Sequence, residues 1–206
     1  LSYAGLDVGN PDQVALLSSM ILRDVGPVSI LVNNAGVDSR PSDAGKLETI
    51  FADMVLTNIL GTDLVTRTFR DHFDHAGGGT IINIASLYGL VAPDLRYYDH
   101  RADGWVKDPI YGATKAAIIS LTKYYAGAWA KHGIRVNALA PGGVVAPGDA
   151  LTAQDPLFVE KYTSRIPMGR MATPEDLGGP LVFLASDASS FLTGQCLALD
   201  GGYLVY

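Results

Sequence analysis

Three short apolar runs constrain this chain more than any other feature. Ile30-Leu31-Val32, Thr80–Ile84 and Ile134–Leu139 are too short for helices and are bounded by turn-forming residues, so they predict buried strands. Enough chain for a helix lies between each run and the next. Apolar strands separated by helices predict right-handed crossovers and an α/β, doubly wound parallel sheet covered on both faces. Cys196–Asp200 reads as a last strand before Gly201-Gly202, and Leu1–Val8 as part of a strand running into a loop. Ligands of such sheets gather beyond the carboxyl ends of the strands. The chemistry is therefore expected just after Val32, Ile84 and Leu139.

The helices between the strands carry their own punctuation. Asn10 reads as an N-cap with Pro11 at the first helical position, and Thr173-Pro174 repeats that arrangement. One continuous helix is expected from Leu47 to Asp74. Another is expected from Tyr111 to His132, stopped by Gly133. Residues 87–109 show no clear period and read as a long loop with at most one helical turn. Residues 149–165 read as a polar loop and a short helix.

Composition narrows the function. The 206 residues suit one domain. The net charge is −6, from 15 basic and 21 acidic residues with no Lys/Arg run. That balance argues against gripping nucleic acid or an anionic membrane. A single cysteine, Cys196, excludes an internal disulfide framework. No apolar run approaches the roughly 18 residues of a membrane-spanning helix, so none is expected.

At the predicted strand ends, reactive residue types gather. Ser86 follows the second run, and Tyr111 and Lys115 lie four apart, on one helical face. A tyrosine hydroxyl titrates near ~10 and is a poor base at neutrality. A nearby ammonium favours the phenolate and lowers that value. Such a pair can exchange a proton with an alcohol or ketone, and Ser86 can donate a hydrogen bond to the same oxygen.

Taken in order, Asn33-Asn34-Ala35-Gly36, Asn83-Ile84-Ala85-Ser86, Tyr111-Gly112-Ala113-Thr114-Lys115 and Ile134 through Gly142 resemble the short-chain dehydrogenase/reductase family. Thr193-Gly194-Gln195 and Asp200-Gly201-Gly202 extend the resemblance to the chain's end. The family implies a Rossmann-type fold and a nicotinamide dinucleotide, with hydride transfer between a secondary alcohol and a ketone. By resemblance, Tyr111 is the general acid/base, Lys115 holds the nicotinamide ribose, and Ser86 orients the substrate oxygen. Asn58 matches the helix asparagine that supports a proton-relay water. Asn33, Ala35 and Gly36 match the segment lining the adenosine ribose. Asp7 and Val8 match the residues beside the adenine, and Pro141, Gly142 and Val144 the nicotinamide-side loop. A homo-oligomer, dimer or tetramer, and a cytoplasmic location are expected with it.

Three departures from the family pattern stand out. The family places a first strand and a Thr-Gly-x-x-x-Gly-x-Gly loop ahead of the point where this sequence starts, and that loop cradles the pyrophosphate. At roughly 30 residues per βαβ unit, about 50–60 residues are expected to precede Leu1. The residue that chooses NAD over NADP falls there too, so the cofactor stays open between the two. Second, Ser86 and Tyr111 are 25 positions apart (111 − 86), about a dozen more than the family norm. The extra residues fall in 91–109, expected to hang over the substrate side, with Tyr88, Arg96, Tyr97, His100 and Arg101 as candidate substrate contacts. Third, Ala146 replaces a frequent threonine.

Ser86 through Pro93, the insertion and Pro141-Gly142-Gly143 look like a subgroup acting on bacterial surface sugars, implying a sugar or amino-sugar substrate. A 3-oxoacyl-carrier reductase-like or general alcohol dehydrogenase activity is the alternative. An inactive relative serving only in assembly is the rival of another class. His72 and His75, with Asp53, Asp63, Asp71 and Asp74, read as a solvated helix face, Cys196 as a plain core residue, and no metal is expected. The apolar end Tyr203–Tyr206 suggests a subunit contact or packing on its own sheet.

Overall fold

The computed structural model describes residues 3–39, 46–145 and 155–206. Helix α1 (Pro11–Asp24) starts where Asn10 Oδ1 accepts the Asp12 and Gln13 N–H groups, each at 3.1 Å. Strand β1 (Ile30–Asn33) follows. The next helical stretch comprises α2 (Leu47–Met54), a π-helical segment (Val55–Gly61), α3 (Thr62–Thr68) and α4 (Arg70–Ala76). Strand β2 (Gly79–Ile84), α5 (Pro109–Trp129), β3 (Ile134–Pro141), α6 (Pro156–Ser164), α7 (Pro174–Ala185) and β4 (Cys196–Leu199) complete the order.

All pairings are parallel, in the order β1-β2-β3-β4. Alternation along the strands sends side chains to two cores. Ile81 and Val136 pack with Val14, Val65, Phe69, Phe73 and Tyr125. Ile82 and Leu139 pack with Leu184 of α7 on the other face. The fold is thus the Rossmann-type α/β sandwich that the strand–helix alternation predicts. β1 forms one edge, where Ile30 and Val32 are about half exposed.

Several expectations change. Residues 3–8 form no strand; Leu6 and Val8 instead pack onto the first core. The expected single helix over 47–74 is broken twice. Its middle widens into the π-helical segment, and Phe69 (φ −83°, ψ 5°) leaves the helical region before α4. Glu48–Ala76 matches a membrane-crossing helix by length and composition only, and charged residues such as Asp63, Arg67 and Arg70 interrupt it. Here its Val65, Phe69 and Phe73 lie in the core against the sheet. Helix α5 begins two residues earlier than expected, at Pro109, because Asp108 accepts the Ile110 N–H (2.7 Å) as its cap. Gly133 (φ +70°) ends the turn after it, in the left-handed region open to glycine. Residues 87–109 hold two short 3-10 turns, Leu87–Gly89 and Leu95–Tyr97. Ala146 and 149–154 lie outside the described residues.

His72 is not on a solvated face. It is fully buried, with Nε2 3.0 Å from Ser18 Oγ, while its Nδ1 accepts the Val28 N–H at 3.2 Å. It ties α4 to α1 and to the chain entering β1. Asp63 is also half-buried and accepts the Tyr125 hydroxyl. A buried donor or acceptor left unpaired costs about 1–3 kcal/mol. His72→Ala removes both partners and leaves a void, so the urea midpoint should fall by an amount equivalent to about 2–4 kcal/mol. His75→Ala, on the exposed side, should leave it unchanged.

Candidate active site

The carboxyl ends of β1, β2 and β3 open into one cavity of about 490 Å³. Residues from four stretches line it: Asn34, Gly36, Val37 and Asp38 after β1, residues 84–88 after β2, Tyr111 and Lys115 on α5, and residues 141–145 at the end of β3. The Leu87–Gly89 turn presses on α5. A Cβ added to Gly89 would lie 2.8 Å from the Lys115 carbonyl carbon, so only glycine lets the loop after Ser86 sit this close to the helix. That approach brings Ser86, Tyr111 and Lys115 to the same wall.

Lys115 is 5% exposed, and its Nζ donates to the Ile84 carbonyl at 2.9 Å. Burial pushes its ammonium down to about 8, with the Asp38 carboxylate pulling the other way. Its Nζ is 5.7 Å from the Tyr111 ring centre. Tyr111 itself is pushed up to about 12, by burial first and by the Asp38 charge second; the Ser86 hydroxyl works against both. This corrects the expected lowering. Lys115 gives a hydrogen bond to a backbone carbonyl, and burial of the phenol outweighs the opposing hydrogen bond from Ser86. In this state Tyr111 is a protonated donor at neutral pH.

Asn58 sits fully buried in the π-helical segment. Its Oδ1 accepts the Val37 N–H (2.8 Å), and its Nδ2 donates to the Val37 carbonyl (2.9 Å) and to Thr114 Oγ1 (3.0 Å). Both backbone groups of Val37 are therefore fixed by one side chain. A Cβ on Gly36 would stand 3.3 Å from Asn58 Oδ1 and 3.5 Å from Lys115 Nζ. The extra residue of a π-turn places Asn58 inward here, a recurrent use of such segments at functional sites.

Of the sequence-predicted site residues, Gly36, Ser86, Tyr88, Arg101, Tyr111, Lys115, Pro141, Gly142 and Val144 line the cavity. Asn33, Ala35, Asp7 and Val8 do not. Asn33 Nδ2 donates to Asn83 Oδ1 (2.8 Å) and Thr66 Oγ1 (2.9 Å), tying β1 to β2 and to α3. Asp7 Oδ1 accepts the Gly9 N–H (2.9 Å), and Val8 packs against Gly61. Within the insertion, Arg96 points away and pairs with Asp94. Tyr97 is buried, with its hydroxyl 3.0 Å from that of Tyr203. His100 pairs with Asp155 at 2.7 Å. Tyr203 is therefore packed on its own domain, while Val205 and Tyr206 are exposed.

Other residues of the insertion do reach the cavity: Tyr98, Trp105 and Lys107. Tyr98 stacks on Phe158 of α6 with ring centres 5.4 Å apart and meets Trp105 edge-on at 5.3 Å. Arg101 clamps this arch to α6, donating to Asp155 Oδ2 at 2.8 Å, and Asp155 caps α6 by accepting the Phe158 N–H at 3.0 Å. Asp38, Phe158 and Tyr162, which sequence reasoning missed, complete the wall. Asp38 lies only two residues past Gly36, and that proximity was the one available signal. Phe158 and Tyr162, four apart on a short helix, carried none.

Comparison with known proteins places the fold in a known family. A family model described as enoyl-(acyl carrier protein) reductase matches residues 2–204. The chain is 37% identical over 191 residues to 2-dehydro-3-deoxy-D-gluconate 5-dehydrogenase of Dickeya dadantii, covering 92% of this chain and 71% of the relative. A crystal structure of a gluconate 5-dehydrogenase from Burkholderia cenocepacia, in complex with NADP and tartrate, superposes with a TM-score of 0.84 at 33% identity, over 98% of this chain and 74% of that one. A short-chain dehydrogenase from Leptospira borgpetersenii with bound NAD+ gives 0.84 at 31% identity, over 98% and 75%. With its parallel sheet and these matches along nearly its whole length, the chain belongs to the short-chain dehydrogenase/reductase family.

Proposed function

We propose that the protein is an NAD(P)-dependent dehydrogenase interconverting a secondary alcohol and a ketone on a sugar or sugar acid. The observation that carries this reading is the meeting of Ser86, Tyr111 and Lys115 on one wall of a cavity at the strands' carboxyl ends. Gly36, whose bare Cα faces Asn58 and Lys115, and the loop Pro141–Val144 suit a flat nicotinamide ribose end laid against them. When bound, the nicotinamide supplies the hydride acceptor or donor.

The chain's own residues handle the rest. Lys115 offers a buried ammonium to ribose hydroxyls. Ser86 holds the substrate oxygen by hydrogen bonding. Tyr111, protonated at neutral pH, gives its proton to that oxygen during ketone reduction; alcohol oxidation runs the same transfer in reverse and requires Tyr111 as the phenolate. The aromatic arch of Tyr98, Trp105 and Phe158 presents ring faces to the C–H surface of a sugar and keeps water from the reacting carbon. The named relatives favour a sugar acid of the gluconate type over the amino sugar expected from Ser86–Pro93. NAD and NADP both remain cofactors of this reading, and the cytoplasm, with its nicotinamide pool, is the location that suits it.

The test is an absorbance assay for reduced nicotinamide, with NAD+ or NADP+ offered together with gluconate, 2-dehydro-3-deoxygluconate or six-carbon polyols. Turnover of one of these, lost in Ser86→Ala, is expected. A protein that binds the dinucleotide yet reduces none of it with any of them overturns the sugar reading.

A further inference from the structure

The inserted segment does more than roof the cavity. Lys107, at its end, forms an ion pair with Asp38 from the loop after β1. The same ammonium lies 4.4 Å from the centre of the Tyr111 ring, closer than Lys115 does at 5.7 Å. Lys107 is 14% exposed at its side chain and Asp38 34%, so the pair lies partly out of bulk water and its charges reach Tyr111 less screened than at an open surface. Neither residue belongs to the Ser–Tyr–Lys pattern. One comes from the insertion and the other from a loop 69 positions earlier in the chain.

We propose that Lys107 is a positioning residue that sets the charge state of Tyr111 by neutralising Asp38 and covering the phenol ring. This rests on the acid/base role assigned to Tyr111 above. Among the described residues, the charged and titratable groups facing Tyr111 are Lys115 on its own helix, Ser86 after β2, Asp38 after β1 and Lys107 from the insertion. Asp38 opposes the phenolate. Lys107 favours it, both as a cation near the oxygen's ring and as the partner that cancels Asp38. The insertion thereby places a cation beside the phenol; without that cation, Asp38 would stand alone against the phenolate.

The experiment follows the ionisation of position 111 directly, with no substrate needed. Tyr111 is replaced by difluorotyrosine, whose lower intrinsic pKa brings the titration into the range where the protein is folded, and its fluorine resonance is followed against pH. Lys107→Gln should raise the midpoint by about one pH unit or more, and Asp38→Asn should lower it by a similar amount. The double variant should return near the parent value, and Lys107→Arg should match the parent. Unmoved midpoints in folded Lys107→Gln and Asp38→Asn proteins overturn the proposal. So does a double variant displaced as far as Lys107→Gln alone. Should Lys107→Gln fail to fold, the Asp38→Asn shift decides by itself, since it must be downward. Because turnover is not the readout, failure here is distinct from failure of the sugar dehydrogenase reading, which the Tyr111→Phe and substrate assays address.

Discussion

Tyr111→Phe should abolish turnover while cofactor affinity stays essentially unchanged. The substitution deletes one hydroxyl and leaves the ring that packs under Lys107 and beside Lys115. General acid–base catalysis by one positioned group is worth roughly a hundred- to ten-thousandfold, and kcat should drop within that range. Dinucleotide binding depends on the surfaces around Gly36, Lys115 and Pro141–Val144, which the variant leaves intact. Fluorescence titration with NADH or NADPH, beside the steady-state assay, separates the two effects. A variant that turns over like the parent refutes the role of Tyr111. A variant that loses both turnover and dinucleotide binding points to a collapsed site.

The second large effect runs in opposite directions for activity and stability. Lys115→Met keeps the volume of a buried side chain and removes its charge. Activity should fall at least a hundredfold, because the ammonium that meets the ribose and neighbours the phenol is gone. Stability of the cofactor-free protein at neutral pH should nevertheless rise. Burial holds the Lys115 ammonium at about 8 against 10.5 for a free lysine. Keeping it charged inside the fold therefore costs on the order of 3 kcal/mol. Part of the gain is returned by the lost hydrogen bond to the Ile84 carbonyl, leaving about 1–2 kcal/mol net.

The pH dependence carries the same signature. Between about 8 and 10.5 the unfolded chain keeps a proton on Lys115 that the folded chain has released. Stability contributed by this group therefore rises with pH through that window and is lowest below it. Lys115→Met should lack that rise. Urea unfolding at neutral pH and near pH 10, on parent and variant, reads both the offset and the slope. An equal or lower midpoint for Lys115→Met at neutral pH would contradict the buried, charged lysine described here. A stabilising loss-of-function change at this position is what a site that stores desolvation energy for binding should show.

Much of the fold was legible in local patterns. The apolar runs at Thr80 and Ile134 are strands because such short runs bounded by turns are buried on both faces of the sheet; the run at Ile30 is a strand too, but as the edge it stays half exposed rather than buried. Asn10-Pro11 and Thr173-Pro174 mark true helix starts, since a cap needs only the side chain and the next three N–H groups. The Ser86, Tyr111 and Lys115 wall was visible for the same reason: strand ends and a four-residue helical spacing determine where those side chains emerge. Boundaries that depend on distant partners were not visible. His72 and Asp63 read as solvated because helical spacing says which residues share a face, not which face meets another element. The break at Phe69 and the widening around Asn58 likewise answer to the sheet and to Val37, not to helix propensity.

The insertion divides along the same line. Its aromatics and cations were recognisable as material for a cavity wall. Which of them face inward was decided by packing against α6. Tyr97 turns to Tyr203, His100 and Arg101 share Asp155, and Tyr98, Trp105 and Lys107 are left toward the site. Likewise, the sequence by itself determined the parallel sheet, the family motifs and the meeting of Ser86, Tyr111 and Lys115 at the strand ends, because each is written in strand and helix spacing. Only the tertiary structure decided that Asn33 ties strands together, that Asp38 and Lys107 meet over Tyr111, and that the tyrosine's proton is held more tightly than an adjacent lysine alone would suggest. Those outcomes depend on burial and on charges brought together from loops far apart in the chain, which no local pattern records.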